Sequence, residues 1–386
     1  MLSASGICFP KKPDICVRKN QTESGKTRLF ANSLQISYPV WMAKPFLKIC
    51  VALLTLAAVF LTGFSLVSAA TGGENLVLEM PVGCVPGRNC SIQNYVDRDP
   101  GPGYRDYTCG FLSSNGHRGT DFRAPYPVVM GPGVQVLAAA PGIVRAVRDG
   151  MPDISIRKTG KEAVKGREAG NAVVVDHGHG WETQYSHLRK GSVTVKKGQR
   201  VVTGQVLGLI GMSGMTEFPH LHFEVRRHGL AVDPFVGLTD RDGCGFAEKP
   251  LWSKEALKKL SYVPTGLLGA GFTSGRPDPE KARQGKHQAE FLSPLSPAIL
   301  FWTDVFGLQA GDEADMRILG PAGKVLAAHR DTVKKPLAQR FLYIGKRRKE
   351  PLWRTGTYTG EYILRRNTSG KKTVIINIRR EIEIRQ

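Results

Sequence analysis

The sequence predicts a mainly β protein, and three observations carry that expectation. Apolar residues come in short bursts with alternating or β-branched character. Glycine and proline punctuate those bursts, with 44 and 24 copies in 386 residues. The helix expected beyond residue 70 is a short amphipathic one, Lys254 to Leu260.

The first seventy residues stand apart. Residues 1 to 41 are polar, without apolar periodicity, and hold two isolated cysteines, Cys8 and Cys16. From Met42 the chain passes Lys44 and Lys48, an apolar run from Ile49 to Val67, and then Ser68-Ala69-Ala70. A basic start, an apolar middle and small residues at the end are the parts of a secretory signal peptide, cleaved after Ala69 or Ala70, with Met42 as the start codon. The competing reading is an uncleaved anchor, since the run approaches the roughly 20 residues that span a bilayer. Val67-Ser68-Ala69 favours cleavage.

Residues 71 to 110 carry many Gly, Pro, Asp and Asn and are expected to be an irregular lead-in. Two apolar bursts, Val134 to Ala139 and Ile143 to Val147, split by Pro141-Gly142, predict a hairpin. Residues 148 to 170, rich in charge and glycine, predict an exposed insertion, either a passive surface loop or a wall of a groove. Ala172 to Asp176 and Trp181 to Leu188 predict strands joined through His177-Gly178-His179-Gly180. The glycines there favour a turn over a second metal site. Lys196 to Gly214 alternates apolar clusters with glycines and predicts short strands that deliver the alternating run Phe218 to Arg226. Residues 237 to 290 read as a linker. The final domain, 291 to 386, reads as a β-sandwich from the runs Ala298 to Trp302, Ala314 to Leu319, Val325 to His329, Phe341 to Gly345, Gly360 to Arg365 and Thr373 to Ile378. It holds no catalytic constellation, since His287 and His329 stand alone, and a binding or spacer role is the default.

Lys and Arg number 54 against 33 Asp and Glu, a net charge of +21 that is still +15 without residues 1 to 70. Such a balance suits nucleic acid, an anionic membrane face or an acidic polymer. No aromatic-interleaved basic signature, helix-turn-helix cue or zinc-finger spacing accompanies it, so no nucleic-acid partner is expected. A solvated basic surface is the plain reading, and attraction to an anionic envelope polymer the functional one. Loss of the first seventy residues leaves Cys84, Cys90, Cys109 and Cys244, an even set that in an exported chain reads as disulfides with three possible pairings. Pro86-Gly87 can turn Cys84 back onto Cys90, and Cys109 and Cys244 bracket the segment between them, which favours those two pairs. A structural zinc would want a C-x-x-C, and none is present.

The chemistry concentrates in His117-Arg118-Gly119-Thr120-Asp121 and Pro219-His220-Leu221-His222-Phe223. Two imidazoles and one carboxylate are the ligand set of an open catalytic zinc site, with water in the fourth position. Gly116, Gly119 and Pro125 make the first segment a loop entering a short strand. Alternation along Phe218 to Arg226 turns His220 and His222 into one cleft and Leu221 and Phe223 toward the core. Side chains two apart on a strand are separated by about 6.5 Å, whereas zinc bonds are about 2.0 to 2.1 Å long. One histidine can therefore ligate while the other reaches the bound water, and spacing leaves open which does which. Glu224 shares the cleft side, either orienting a ligand or standing as a surface carboxylate. By the same alternation His187 shares a face with Tyr185 and Thr183.

H-x-x-x-D, then Tyr185-Ser186-His187-Leu188, then Gly211-x-x-Gly214 before H-L-H-F-E, resembles the lysostaphin-type (LytM-like) zinc endopeptidases of bacterial cell walls, over roughly residues 110 to 236. The resemblance implies a small antiparallel β peptidase domain (duplicated hybrid motif) at 111 to 236, with one Zn²⁺ at the floor of a groove. It implies that His117, Asp121 and His222 hold the metal, and that His187 and His220 act on the water and the tetrahedral intermediate. The implied substrate is the peptide cross-links of peptidoglycan, in the periplasm or cell envelope, with membrane contact only through the signal segment if uncleaved. Two rival readings share these residues. A non-catalytic regulator of other wall hydrolases would have lost some of the five positions, and none is lost. A non-haem Fe(II) oxygenase also uses two histidines and a carboxylate, but its chemistry suits an exported disulfide protein poorly.

Overall fold

The structure is a computed structural model, and it describes residues 75–386 apart from Arg88, 239–242 and 246–248. The polar extension and the signal peptide expected at 42 to 70 lie outside the described residues. Among the described residues no helix is long and apolar enough to cross a membrane.

The chain is mainly β. Its first part contains β1 (Ser91–Asn94), β2 (Thr120–Arg123), β3 (Gln135–Leu137), β4 (Gly142–Arg148), β5 (Asn171–Gly178), β6 (Trp181–Leu188), β7 (Arg200–Val201), β8 (Val206–Leu209), β9 (His220–Arg227) and β10 (Leu230–Val232). One sheet runs β1-β2-β9-β6-β5-β4-β7 with β10 also on β9, and β3 pairs with β8 in a small second sheet. Strand β9 is the organising element, held by β2 along residues 220 to 223 and by β6 along 222 to 227. Its odd-numbered residues Leu221, Phe223 and Val225 are buried with Trp181, Tyr185, Val173 and Val175. Burial of each such side chain stabilises by about 1.5–3 kcal/mol, and that fixes which face the intervening histidines must take.

The second part contains β11 (Gly266–Thr273), β12 (Phe291–Leu292), β13 (Ala298–Leu308), β14 (Glu313–Leu319), β15 (Val325–Thr332), β16 (Leu337–Arg347), β17 (Gly356–Thr368) and β18 (Lys371–Ile384). Two sheets, β11-β13-β16 and β12-β18-β17-β14-β15, share one core that includes Phe301, Met316, Leu364 and Ile382. A helix at Lys254–Lys259 precedes it, its N-terminus capped by Ser253, which accepts from the Ala256 amide.

Three expectations need correction. The linker at 237 to 290 contains β11, which pairs along most of its length with β13. Its glycines hide the strand, because glycine weakens a strand wherever nothing requires it. Here a Cβ at Gly266 would lie 2.5 Å from the Phe306 ring, and one at Gly269 or Gly271 3.2 Å from the Trp302 ring. The lead-in at 71 to 110 likewise contains β1, which pairs with β2. The expected hairpin does not form. β3 pairs with β8 while β4 pairs with β5 and β7, because Pro141-Gly142 is a close approach to β5 and not a turn. The Pro141 carbonyl accepts from His177 Nδ1 at 2.7 Å, and a Cβ on Gly142 would sit 2.4 Å from the Asp176 carbonyl oxygen.

Candidate metal centre

Strand pairing places Asp121 directly opposite His222, and His222 opposite Ser186 on the other side. The loop before β2 brings His117 in. Gly119 permits that approach, since a Cβ there would lie 2.7 Å from the His222 ring and from the Phe223 carbonyl. One donor atom from each of His117, Asp121 and His222 lies within 4.8 Å of the other two. Asp121 is at the centre: Oδ2 is 3.1 Å from His117 Nε2, and Oδ1 is 2.9 Å from His222 Nδ1 and 3.6 Å from His220 Nε2. Asn94, on β1, donates from Nδ2 to Asp121 Oδ2 at 2.9 Å.

The tautomers follow from backbone carbonyls, which only accept. His117 Nδ1 donates to the Tyr95 carbonyl at 2.7 Å, His187 Nδ1 to the Ser213 carbonyl at 2.8 Å and His220 Nδ1 to the Phe218 carbonyl at 2.9 Å. Each ring therefore turns Nε2 toward the common space, which is the arrangement metal-ligating and proton-transferring histidines need.

His187 reaches that space by breaking the alternation expected of it. Tyr185 faces the core, where its hydroxyl accepts from the Ala139 amide at 2.8 Å, and strict alternation would send His187 there too. Instead His187 has φ of 63°, a left-handed conformation that costs a non-glycine residue of order 1–3 kcal/mol. The reversal brings its ring 4.7 Å from that of His220 and 6.0 Å from that of His222. The insertion holds it there, since the Ala169 carbonyl accepts from the His187 amide at 2.9 Å.

Burial and charge sort the groups. Burial alone would raise the Asp121 pKa, but His117 and His220 hold its carboxyl well below the usual range. Burial works against protonation of His117, yet the Asp121 carboxylate wins and lifts it to about 9. His187 is pushed well below 6.5 by burial and by the neighbouring His220 and His222. His220 is lowered too, burial outweighing Asp121. A buried carboxylate among imidazoles whose free nitrogens converge is a donor set that fits zinc: two nitrogens, one oxygen and an open side.

Other predicted residues fall as follows. His177 is a satisfied core residue, with Nδ1 on the Pro141 carbonyl and Nε2 on Thr183 Oγ1 at 2.8 Å. His179 occupies the turn between β5 and β6. Glu224 is buried and pairs with Arg118 at 2.9 Å, with no ion pair to an imidazole among the described residues. Among the described residues, disulfides join Cys84 to Cys90 and Cys109 to Cys244. Sequence reasoning missed Asn94, Tyr95 and Ser213. The last two act through backbone carbonyls, which leave no side-chain signal, and Asn94 sits in the stretch read as irregular.

Residues 115–234 match Peptidase family M23, so the chain carries a domain of that family. A DD-carboxypeptidase/endopeptidase, Mpg, of Neisseria meningitidis is 31% identical over 156 residues, 38% of this chain and 30% of its own. A peptidoglycan DD-endopeptidase, ShyA, of Vibrio cholerae is 36% identical over 117 residues, 30% of this chain and 22% of its own. The chain thus spans less than a third of the length of these relatives. Among solved structures, a zinc-containing peptidase from Vibrio cholerae is 28% identical, with a TM-score of 0.28, 41% of this chain and 39% of that one being covered.

Proposed function

We propose that the protein is an exported zinc-dependent DD-endopeptidase that hydrolyses peptide cross-links of peptidoglycan, with its catalytic domain at 111 to 236 and a β-sandwich module after it. The convergence of His117, Asp121 and His222 carries the reading. These three would hold one Zn²⁺. When bound, zinc supplies a polarised scissile carbonyl and a water of lowered pKa. His220 and His187, with Nδ1 committed to carbonyls, present unprotonated Nε2 atoms, and one of the two accepts the proton of the attacking water and returns it to the leaving amine. While it carries that proton, the same ring donates to the developing oxyanion. Burial of both rings keeps them neutral beforehand.

Two disulfides support an oxidising compartment, as the substrate of the relatives does, and the basic charge suits an anionic envelope. The test is release of peptides from purified peptidoglycan. Release that is abolished by chelator and by His117→Ala supports the hydrolase. An intact, metal-free protein that releases nothing favours the regulator.

A further inference from the structure

A cavity of about 380 Å³ lies beside the metal centre, between the first β domain and strand β11. Its wall toward the centre is Phe218 and Pro219, immediately before His220. Its charges do not balance. Four arginines line it, Arg123, Arg157, Arg283 and Arg380, against three carboxylates, Glu217, Glu280 and Asp304. Each carboxylate is already paired: Glu217 with Arg157 at 2.5 Å, Asp304 with Arg283 at 2.6 Å, and Glu280 with Lys158 at 3.3 Å. Arg123 and Arg380 have no carboxylate within ion-pair distance among the described residues.

Arg123 is the informative one, because it is only 6% exposed. A buried cation normally pairs with an anion, since removing it from water is costly. Its contacting partners are neutral, and the nearest carboxylate to act on it, Asp304, does so from beyond ion-pair distance while held by Arg283. Arg123 Nη1 donates to Gln93 Oε1, and the guanidinium lies 4.1 Å from the centre of the Phe218 ring. Gln93 uses one of five N–H donors that otherwise form a fork matched to a carboxylate. The position is set by the sheet, which pairs Arg123 with His220 as it pairs Asp121 with His222. The Phe218 ring touches both groups, 4.1 Å from the guanidinium and 4.9 Å from the His220 ring, so guanidinium and imidazole are at most about 9 Å apart.

We propose that this cavity is a subsite for a free carboxylate of the peptide substrate, bound by Arg123 while the scissile bond lies at the metal centre. An extended peptide advances about 3.3–3.6 Å per residue, so two or three residues span the gap. Strand β11 closes the far wall with Leu267 and Gly269, which gives the C-terminal domain a part in substrate selection. The proposal rests on the peptidase reading, and its test separates the two.

Chelator-treated full-length protein is titrated with N-acetyl-D-alanine and with its carboxamide, followed by NMR shift perturbation. The wild-type chain is expected to bind the carboxylate about tenfold to a hundredfold more tightly, the range for a charge-assisted hydrogen bond. Arg123→Gln is expected to erase the preference, and Arg123→Lys to retain part of it. Equal binding of both compounds by the wild-type chain, a comparison independent of any variant's folding, overturns the proposal. So does an unchanged preference in a folded Arg123→Gln protein. Hydrolysis of peptidoglycan is measured separately on the zinc-loaded chain: a carboxylate preference without hydrolysis keeps the subsite and rejects the peptidase reading, and hydrolysis without the preference does the reverse.

Discussion

Asn94 and Asp121 are hydrogen-bonded across the β1–β2 pair, Nδ2 to Oδ2 at 2.9 Å. The bond holds the carboxylate through Oδ2, leaving Oδ1 to His222, and ties the proposed metal site to β1, which supplies none of its three groups. Asn94→Ala is expected to lower zinc affinity by about 10- to 100-fold, the usual effect of removing a partner that orients a ligand. Competition against a chromophoric chelator measures it. Unchanged affinity would mean that the β2 backbone alone orients Asp121.

His177 and His222 both look like ligands in the sequence, yet only one joins the cluster. His177→Ala is expected to leave the zinc content intact and to cost about 1–3 kcal/mol, because it strands the Pro141 carbonyl and the Thr183 hydroxyl. His222→Ala is expected to abolish zinc uptake. Elemental analysis alongside denaturant unfolding distinguishes them.

Much of this site was legible because strand alternation is rigid. Leu221 and Phe223 had to be buried, so His220 and His222 had to share the other face. Alternation failed at His187, where a single left-handed residue moves the ring to the opposite face, and no local pattern announces such a reversal. The hairpin at Pro141-Gly142 failed because a glycine admitting close strand contact looks like one that turns the chain. Strand β11 failed for a related reason, its glycines making room for Trp302 and Phe306, more than thirty residues away in the chain.

Asp233 is expected to make stability fall as pH rises. Burial lifts its pKa from 3.8 to about 7, so between about pH 4 and 7 the unfolded chain releases a proton that the folded chain keeps. The penalty grows across that window and is complete above it, about 2–4 kcal/mol at 1.36 kcal/mol per pH unit. Asp233→Asn, neutral throughout, is expected to match the parent near pH 4 and exceed it at pH 8. Thermal unfolding at the two pH values reads this, and equal stability of both chains at pH 8 would refute it.

The Cys109–Cys244 disulfide spans 135 residues and encloses the whole cluster. Replacing both cysteines by serine is expected to cost about 2–5 kcal/mol, chiefly through the freedom returned to the unfolded chain. Urea midpoints of the oxidised parent and the double variant give the value, and a difference below about 1 kcal/mol would contradict it.

The central claim is that His117, Asp121 and His222 jointly hold one divalent cation. A crystal of the zinc-loaded protein, with anomalous data on both sides of the zinc absorption edge, tests it most directly. The expected result is a single peak with His117, Asp121 and His222 each about 2.0–2.2 Å away and a fourth position left for solvent. A peak elsewhere, or none at this cluster in zinc-saturated protein, would contradict the account.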